Sequence, residues 1–277
     1  MRVRATALAV VLVSGQLAHA AFERESKGAL SLGLGGACVL NASNPWAVAV
    51  NPSASGLLKS GSVSVAYRPH AFGLPELAQG SFALVEPFSW GSVAVFGSYF
   101  GTSIYRETCF SIGYARSLIK GLSLGASLNT CGLGIERYGS TRTFAVDLGV
   151  SAEIQRGLTW GAAALNVNRP RIGREGEPLP QILWMSMTYE PVPDATVVAD
   201  LVKDIRFPYE LHIGLGYELM GTVGVRAGIS TDPPLQCAGI GLGLGWVQFD
   251  YAVSNHVVLG LTHQVSISLK LGDSRHE

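Results

Sequence analysis

From Ser62 to Leu271 large apolar residues alternate with small or polar ones, at a period of two and in runs of about ten. That period puts successive side chains on opposite faces of an extended strand. In one run Leu211, Ile213, Leu215 and Tyr217 interleave with Glu210, His212, Gly214, Gly216 and Glu218; in the next, Val223, Val225, Ala227 and Ile229 interleave with Thr222, Gly224, Arg226 and Gly228. The same dyad recurs in Leu122/Leu124/Ala126/Leu128, Phe144/Val146/Leu148/Val150, Ile240/Leu242/Leu244/Trp246 and Val265/Ile267/Leu269/Leu271. Beyond the first twenty residues no apolar run reaches the roughly eighteen residues that a spanning helix needs.

The chain is nevertheless too apolar for an ordinary soluble surface, with 48% hydrophobic and only 14% charged residues and 34 glycines among 277. A sheet that meets lipid must satisfy every backbone group between strands, so it has to close. The pattern predicts an all-β fold, a transmembrane antiparallel β-barrel of fourteen strands over 62–68, 79–86, 90–100, 105–117, 121–135, 142–155, 157–167, 181–190, 194–203, 208–219, 222–231, 236–245, 247–254 and 262–272. Longer connections such as 136–142 (ERYGSTR) and 168–180 (NRPRIGREGEPLP) alternate with tight ones at Gly157, Met220-Gly221 and Gly245-Trp246. Short periplasmic turns and longer outer loops are how such barrels are built. A water-soluble β-sandwich would alternate too, but its outward face should be polar, and here the weaker face is small and glycine-rich.

Arg2 and Arg4 precede the apolar stretch 7–13, and Ala18-His19-Ala20 offers a cleavage point, so residues 1–20 read as a secretory signal peptide. Export and a lipid-facing sheet together predict the outer membrane of a diderm bacterium, with outer-membrane lipid as a partner. With 20 Lys+Arg against 20 Asp+Glu there is no basic surplus to hold a nucleic acid.

Residues 28–58 break the strand rhythm. Asn44-Pro45 has the form of a helix cap and first helical residue, and Asn51-Pro52 stops that short helix and can start another. The run Gly33 to Ala37 (with Gly35 and Gly36), then Asn51-Pro52-Ser53 and Gly56-Leu57, resembles the N-terminal hatch of the FadL-like outer-membrane proteins. The ending Asp250-Tyr251-Ala252, Leu259-Gly260, Thr262-His263 resembles the PorV/PorQ branch, barrels associated with type IX secretion. The resemblance implies a hatch at residues 21–58 folded inside a barrel at 59–272, with a C-terminal tail at 273–277. It implies transport or protein secretion across the outer membrane, with secretion machinery or secreted cargo as partners; the alternatives are a hydrophobic small-molecule (fatty-acid-like) uptake channel and a structural or surface-attachment barrel. Ser53 stands where the family has Ala, the loops are shorter than in fatty-acid transporters, and the last strand lacks a terminal aromatic residue.

By alternation phase Asp147, Glu153, Asp200, Glu210, His212, Glu218, Arg226, Asp250 and Lys270 point into the barrel, as a structural lining of charges that pair with one another or as groups that orient a permeant. No nucleophile, base and orienter fall into a recognisable catalytic set, and the six His show no metal spacing, so neither an enzyme nor a cofactor is predicted. Gly239, Gly241, Gly243 and Gly245 share the inward phase, which fits either close approach of the hatch backbone or general glycine richness. Cys109 and Cys131 fall on neighbouring strands and are candidates for a disulfide in an oxidising compartment; Cys38 with Cys237 would tie hatch to wall, and small inward residues without any disulfide are the other reading.

Overall fold

The computed structural model describes residue 22 and residues 28–272, so the signal peptide and the tail at 273–277 lie outside the described residues. Sixteen strands follow one another: β1 (Ser62–Arg68), β2 (Gln79–Phe88), β3 (Gly91–Gly101), β4 (Tyr105–Ile119), β5 (Leu122–Ile135), β6 (Gly139–Gln155), β7 (Leu158–Leu165), β8 (Arg171–Ile172), β9 (Glu177–Pro178), β10 (Ile182–Val192), β11 (Ala195–Asp204), β12 (Tyr209–Leu219), β13 (Val223–Thr231), β14 (Pro234–Leu244), β15 (Val247–His256) and β16 (Gly260–Lys270). Fourteen of them form one closed barrel in chain order, with β7 beside β10; β8 and β9 form a separate small hairpin. Every barrel pair is antiparallel, and β1 closes on β16 with Ser62 opposite Lys270. Closure leaves no free sheet edge through the hydrocarbon, which is what makes the fold possible in lipid.

Alternation becomes a two-faced wall. Val65, Phe110, Leu128, Leu183, Leu215, Ile240 and Val265 are exposed outside, whereas Ser64, Ser111, Ser123, Asn129, Ser186 and Ser266 are buried inside. At the short-turn rim Phe88 stacks on Trp90 at 5.1 Å and Trp90 on Tyr114 at 5.6 Å, part of the aromatic girdle expected where barrel meets headgroups. Gly157 at φ +78° and Gly221 at φ +65° make the left-handed bends of two of these turns, a conformation that a Cβ disfavours.

The structure corrects four local readings. The connection after β7 is not all loop, because it holds the β8–β9 hairpin. The loop predicted over 136–142 shrinks to 136–138, since β6 begins at Gly139. Only residues 232–233 separate β13 from β14, as tight as any turn at the opposite rim. The last strand ends at Lys270 instead of residue 272.

The barrel lumen as candidate functional site

The segment 28–58 packs against the inward face of the wall. It opens with a single helical turn, α1 (Ala29–Gly33), and continues through 3-10 turns at Pro45–Ala49 and Pro52–Leu57. Asn44 accepts a hydrogen bond from the Trp46 amide at 3.2 Å, and Asn51 accepts one from the Ser53 amide at 3.0 Å, so both Asn-Pro pairs act as caps followed by a first helical proline.

Small residues let this backbone lie directly on the wall. Gly35 and Gly36 adopt φ +74° and +83°, and a Cβ on Gly35 would sit 2.6 Å from the Ile229 carbonyl oxygen. Gly33 meets the Cα of Gly239 at 3.1 Å from its own Cβ position, and Ala37 is fully buried. On the wall side, a Cβ on Gly214 would meet Leu34 at 2.6 Å, one on Gly228 the Gly35 amide nitrogen at 2.2 Å, one on Gly125 the Pro52 carbonyl carbon at 2.5 Å, and one on Gly149 the Asn51 side chain at 2.0 Å. Asn51 also donates through Nδ2 to the Val150 carbonyl at 3.1 Å.

Polar side chains fix the docking. Asp200 Oδ2 accepts from the Cys38 amide at 2.7 Å and from Trp184 Nε1 at 2.9 Å. Thr188 Oγ1 accepts from the Leu40 amide at 2.9 Å, and His212 Nδ1 donates to the Gly35 carbonyl at 2.7 Å. The buried Asp200 carboxylate thus holds the segment by one charge-assisted bond, from the Cys38 amide, and is itself fixed on the wall by Trp184.

The predicted lining is therefore divided in its work. Glu210 sits 3.4 Å from His212 Nε2, beside the docking bond. Arg226 pairs with Asp250 at 2.7 Å and with Glu218 at 3.5 Å, almost wholly out of water on the Arg226 and Asp250 side. Lys270 is exposed at the short-turn mouth. Of the glycine ladder, Gly239 alone touches the segment: Gly241 leaves space for the Arg226–Asp250 pair, a Cβ on Gly243 would meet the Gln248 side chain, and Gly245 is a turn residue with nothing within 4 Å. The wall glycines that do carry the contact, Gly125, Gly149, Gly161, Gly214 and Gly228, had a signal in sequence only if neighbouring strands are aligned, because Gly125 opposes Gly149 and Gly214 opposes Gly228.

Cys109 and Cys131 are register partners with sulfurs 3.1 Å apart. Cys38 and Cys237 belong to different clusters, the first with Leu40 and Trp184, the second with Ala29, Leu32 and Ala252, so this pairing is corrected. The reason is the Gly35-Gly36 bend, which carries Cys38 toward β10 and β11 while α1 stays against β14 and β15.

The lumen is filled at two levels. Near the long-connection end Ile172 of β8 and Leu179, which follows β9, pack on Cys131, with Phe22, Cys109 and Leu133 around them. The Phe22 amide donates to Glu107 Oε2 at 2.9 Å. Below lies the docked segment, and between it and the short turns is a cavity of about 430 Å³ lined by Leu34, Val39, Trp46, Glu218, Arg226 and Asp250 among others. Among the described residues no group of three His, Cys, Asp or Glu is placed to hold a metal ion, and no helix is long and apolar enough to cross a membrane.

A closed fourteen-strand antiparallel barrel with an apolar outer belt is an outer-membrane barrel of diderm bacteria. Its fold is that of the FadL-like barrels. The toluene transporter TodX of Pseudomonas putida superposes with a TM-score of 0.67 at 13% identity, covering 89% of this chain and 99% of that one. A Pseudomonas aeruginosa FadL homologue gives 0.66 at 11% identity over 90% and 99%, and the Ralstonia pickettii toluene transporter TbuX gives 0.64 at 13% over 89% and 97%. No family model and no curated protein matches the chain.

Proposed function

We propose that this barrel is an uptake channel for hydrophobic small molecules and that residues 28–58 are its hatch. The observation that carries the reading is the two-level filling of the lumen: an apolar cluster of Phe22, Cys131, Leu133, Ile172 and Leu179 beneath the outer hairpin, then a segment seated through glycine backbones, single hydrogen bonds and apolar side chains such as Leu40, Trp46 and Leu58, then a cavity at the periplasmic mouth. A permeant that entered under the hairpin would meet apolar side chains first and the charged Arg226–Asp250 lining last. The fold likeness to proteins described as toluene transporters supports a small apolar cargo.

The secretion reading rests on the PorV/PorQ-like ending, and those residues have structural work here: Asp250 neutralises Arg226, and Tyr251 bonds His263 at 2.6 Å on the outer face. Uptake is tested by deleting the gene and measuring entry of labelled monoaromatic hydrocarbons into whole cells. Slowed entry that a plasmid copy restores is the expected result. Unchanged entry together with several unrelated exported proteins trapped in the periplasm would replace this reading with secretion.

A further inference from the structure

The outer surface of β4, β5 and β6 carries a second feature, unrelated to the lumen. Register fixes the outward residues in rungs. Starting at the short-turn end these are Arg116, Leu124 and Val150; then Tyr114, Ala126 and Leu148; then Ile112, Leu128 and Val146; then Phe110, Thr130 and Phe144. Above them come Thr108, Gly132 and Arg142, and finally Arg106, Gly134 and Ser140. The wall is thus apolar for most of its height and turns basic and glycine-lined at the top.

Height decides what that top meets. Arg116 and Arg106 are 116 − 106 = 10 residues apart on one strand. At about 3.3 Å per residue and a tilt near 40°, this is roughly 25 Å along the membrane normal, the thickness of the apolar band of such barrels. With the short turns in the periplasm, Arg106 and Arg142 stand at the headgroup level of the outer leaflet. Both are exposed, and among the described residues neither makes an ion pair or a side-chain hydrogen bond. Lys203, an outward basic residue near the same level on β11, is instead engaged by the Phe207 carbonyl and lies 5.0 Å above the Tyr209 ring. Glu107, next to Arg106 in sequence, has the inward phase and accepts from the Phe22 amide and the Tyr105 hydroxyl, and Glu136, on the adjoining turn, is exposed to solvent.

Gly132 and Gly134 leave the space between the two arginines without side chains. Thr108 Oγ1, which donates to the Gly132 carbonyl at 3.3 Å, lies 2.8 Å and the Arg142 stem 3.5 Å from the position a Gly132 Cβ would take, so both lean over Gly132, while nothing comes closer than 4.0 Å to that of Gly134. Thr108 and Ser140 put hydroxyls beside this gap, and Phe110 and Phe144, 46% and 62% exposed, lie directly beneath it. Two guanidinium groups over a short groove suit a phosphate, and aromatic and aliphatic rungs below suit acyl chains.

We propose that Arg106 and Arg142, with the Gly132–Gly134 groove, form a binding site for a phosphorylated glycolipid of the outer leaflet. The phosphate lies between the arginines and the acyl chains run down the Phe110–Phe144 face. The site would order lipid against the upper part of β6, which extends past the last residue paired with β7, Leu148.

The test uses the full-length barrel refolded in phosphatidylcholine nanodiscs containing diphosphoryl lipid A, with lipid retained after transfer to neutral detergent measured by mass spectrometry. Wild type should retain the lipid. R106A/R142A should hold it about thirtyfold more weakly, each cation near an anionic surface being worth about fivefold, and R116A, at the opposite interface, should match wild type. Heat-modifiable gel migration confirms that each variant has formed its barrel. Equal retention by R106A/R142A, an equal loss in R116A, or displacement of the lipid by millimolar inorganic phosphate would each overturn the proposal.

Discussion

Replacing Gly228 by Ala isolates the contact between segment and wall. The added Cβ would lie 2.2 Å from the Gly35 amide nitrogen and from the Leu34 carbonyl carbon, and ordinary contact begins near 3.4 Å, so 3.4 − 2.2 = 1.2 Å of backbone movement is required. The wall cannot supply it readily, because β13 is paired on both sides through this position. The segment has to move, loosening Leu34, Ala37 and Val39 against Val198. Overpacking of this kind costs about 1–3 kcal/mol. At 1.36 kcal/mol per tenfold, that raises the open fraction of the segment by about 5- to 150-fold. Hydrogen–deuterium exchange of the peptides covering 31–40 reads the change directly. Gly113→Ala is the control, since Gly113 also faces inward on a paired strand but its added Cβ would find no atom nearer than 3.6 Å. Faster exchange in G228A alone is expected. Equal exchange in the two variants, or a G228A protein that no longer forms a heat-modifiable barrel, would refute the reasoning.

Three further outcomes follow from the lumen. Exported protein denatured without reductant is expected to alkylate at Cys38 and Cys237 only, because Cys109 and Cys131 face each other across the ladder in an oxidising compartment; labelling of all four cysteines before reduction would show that the pair stays as thiols. Arg226→Ala strips the cation from a carboxylate with a side chain 2% exposed and should destabilise the barrel by about 3–5 kcal/mol in detergent–urea unfolding, whereas the matched pair R226M/D250L should recover most of the loss. Asp147→Ala removes the acceptor of the Asn166 amide at 2.8 Å and of Asn129 Nδ2 at 2.7 Å, so trypsin should cut the connection at Arg171 or Arg174 faster while the barrel remains intact; unchanged cutting would mean that the hairpin is held from elsewhere.

Alternation locates each barrel strand to within three residues at either end, because lipid contact on one face and its absence on the other write themselves into every second residue. The largest error falls where that cause stops. β6 runs back to Gly139 through Ser140, Arg142 and their neighbours, residues that a reading of apolar alternation assigns to a loop. Above the hydrocarbon a strand still needs its ladder bonds but no longer needs apolar side chains, so the pattern ends before the strand does. β8 and β9 escape for a related reason: a two-residue strand has no room for a period.

The docking surface is hidden by geometry of another kind. A ladder such as Gly239 to Gly245 is conspicuous because it runs along one strand, yet the segment does not run along a strand. It crosses the wall, touching β5 at Gly125, β6 at Gly149 and β7 at Gly161, then on the other side β12 at Gly214, β13 at Gly228 and β14 at Gly239. Each of these strands contributes one such glycine, and a single glycine in a strand carries no periodicity. The information exists only after registration, when Gly125 falls opposite Gly149 and Gly214 opposite Gly228. Two facing glycines on adjacent strands form a patch wide enough for a backbone to lie flat, which four glycines on one strand do not. Within a closed barrel, then, the residues that receive an internal segment are found by reading across the ladder, and a Cβ at any of these crossings acts on the segment before it acts on the wall.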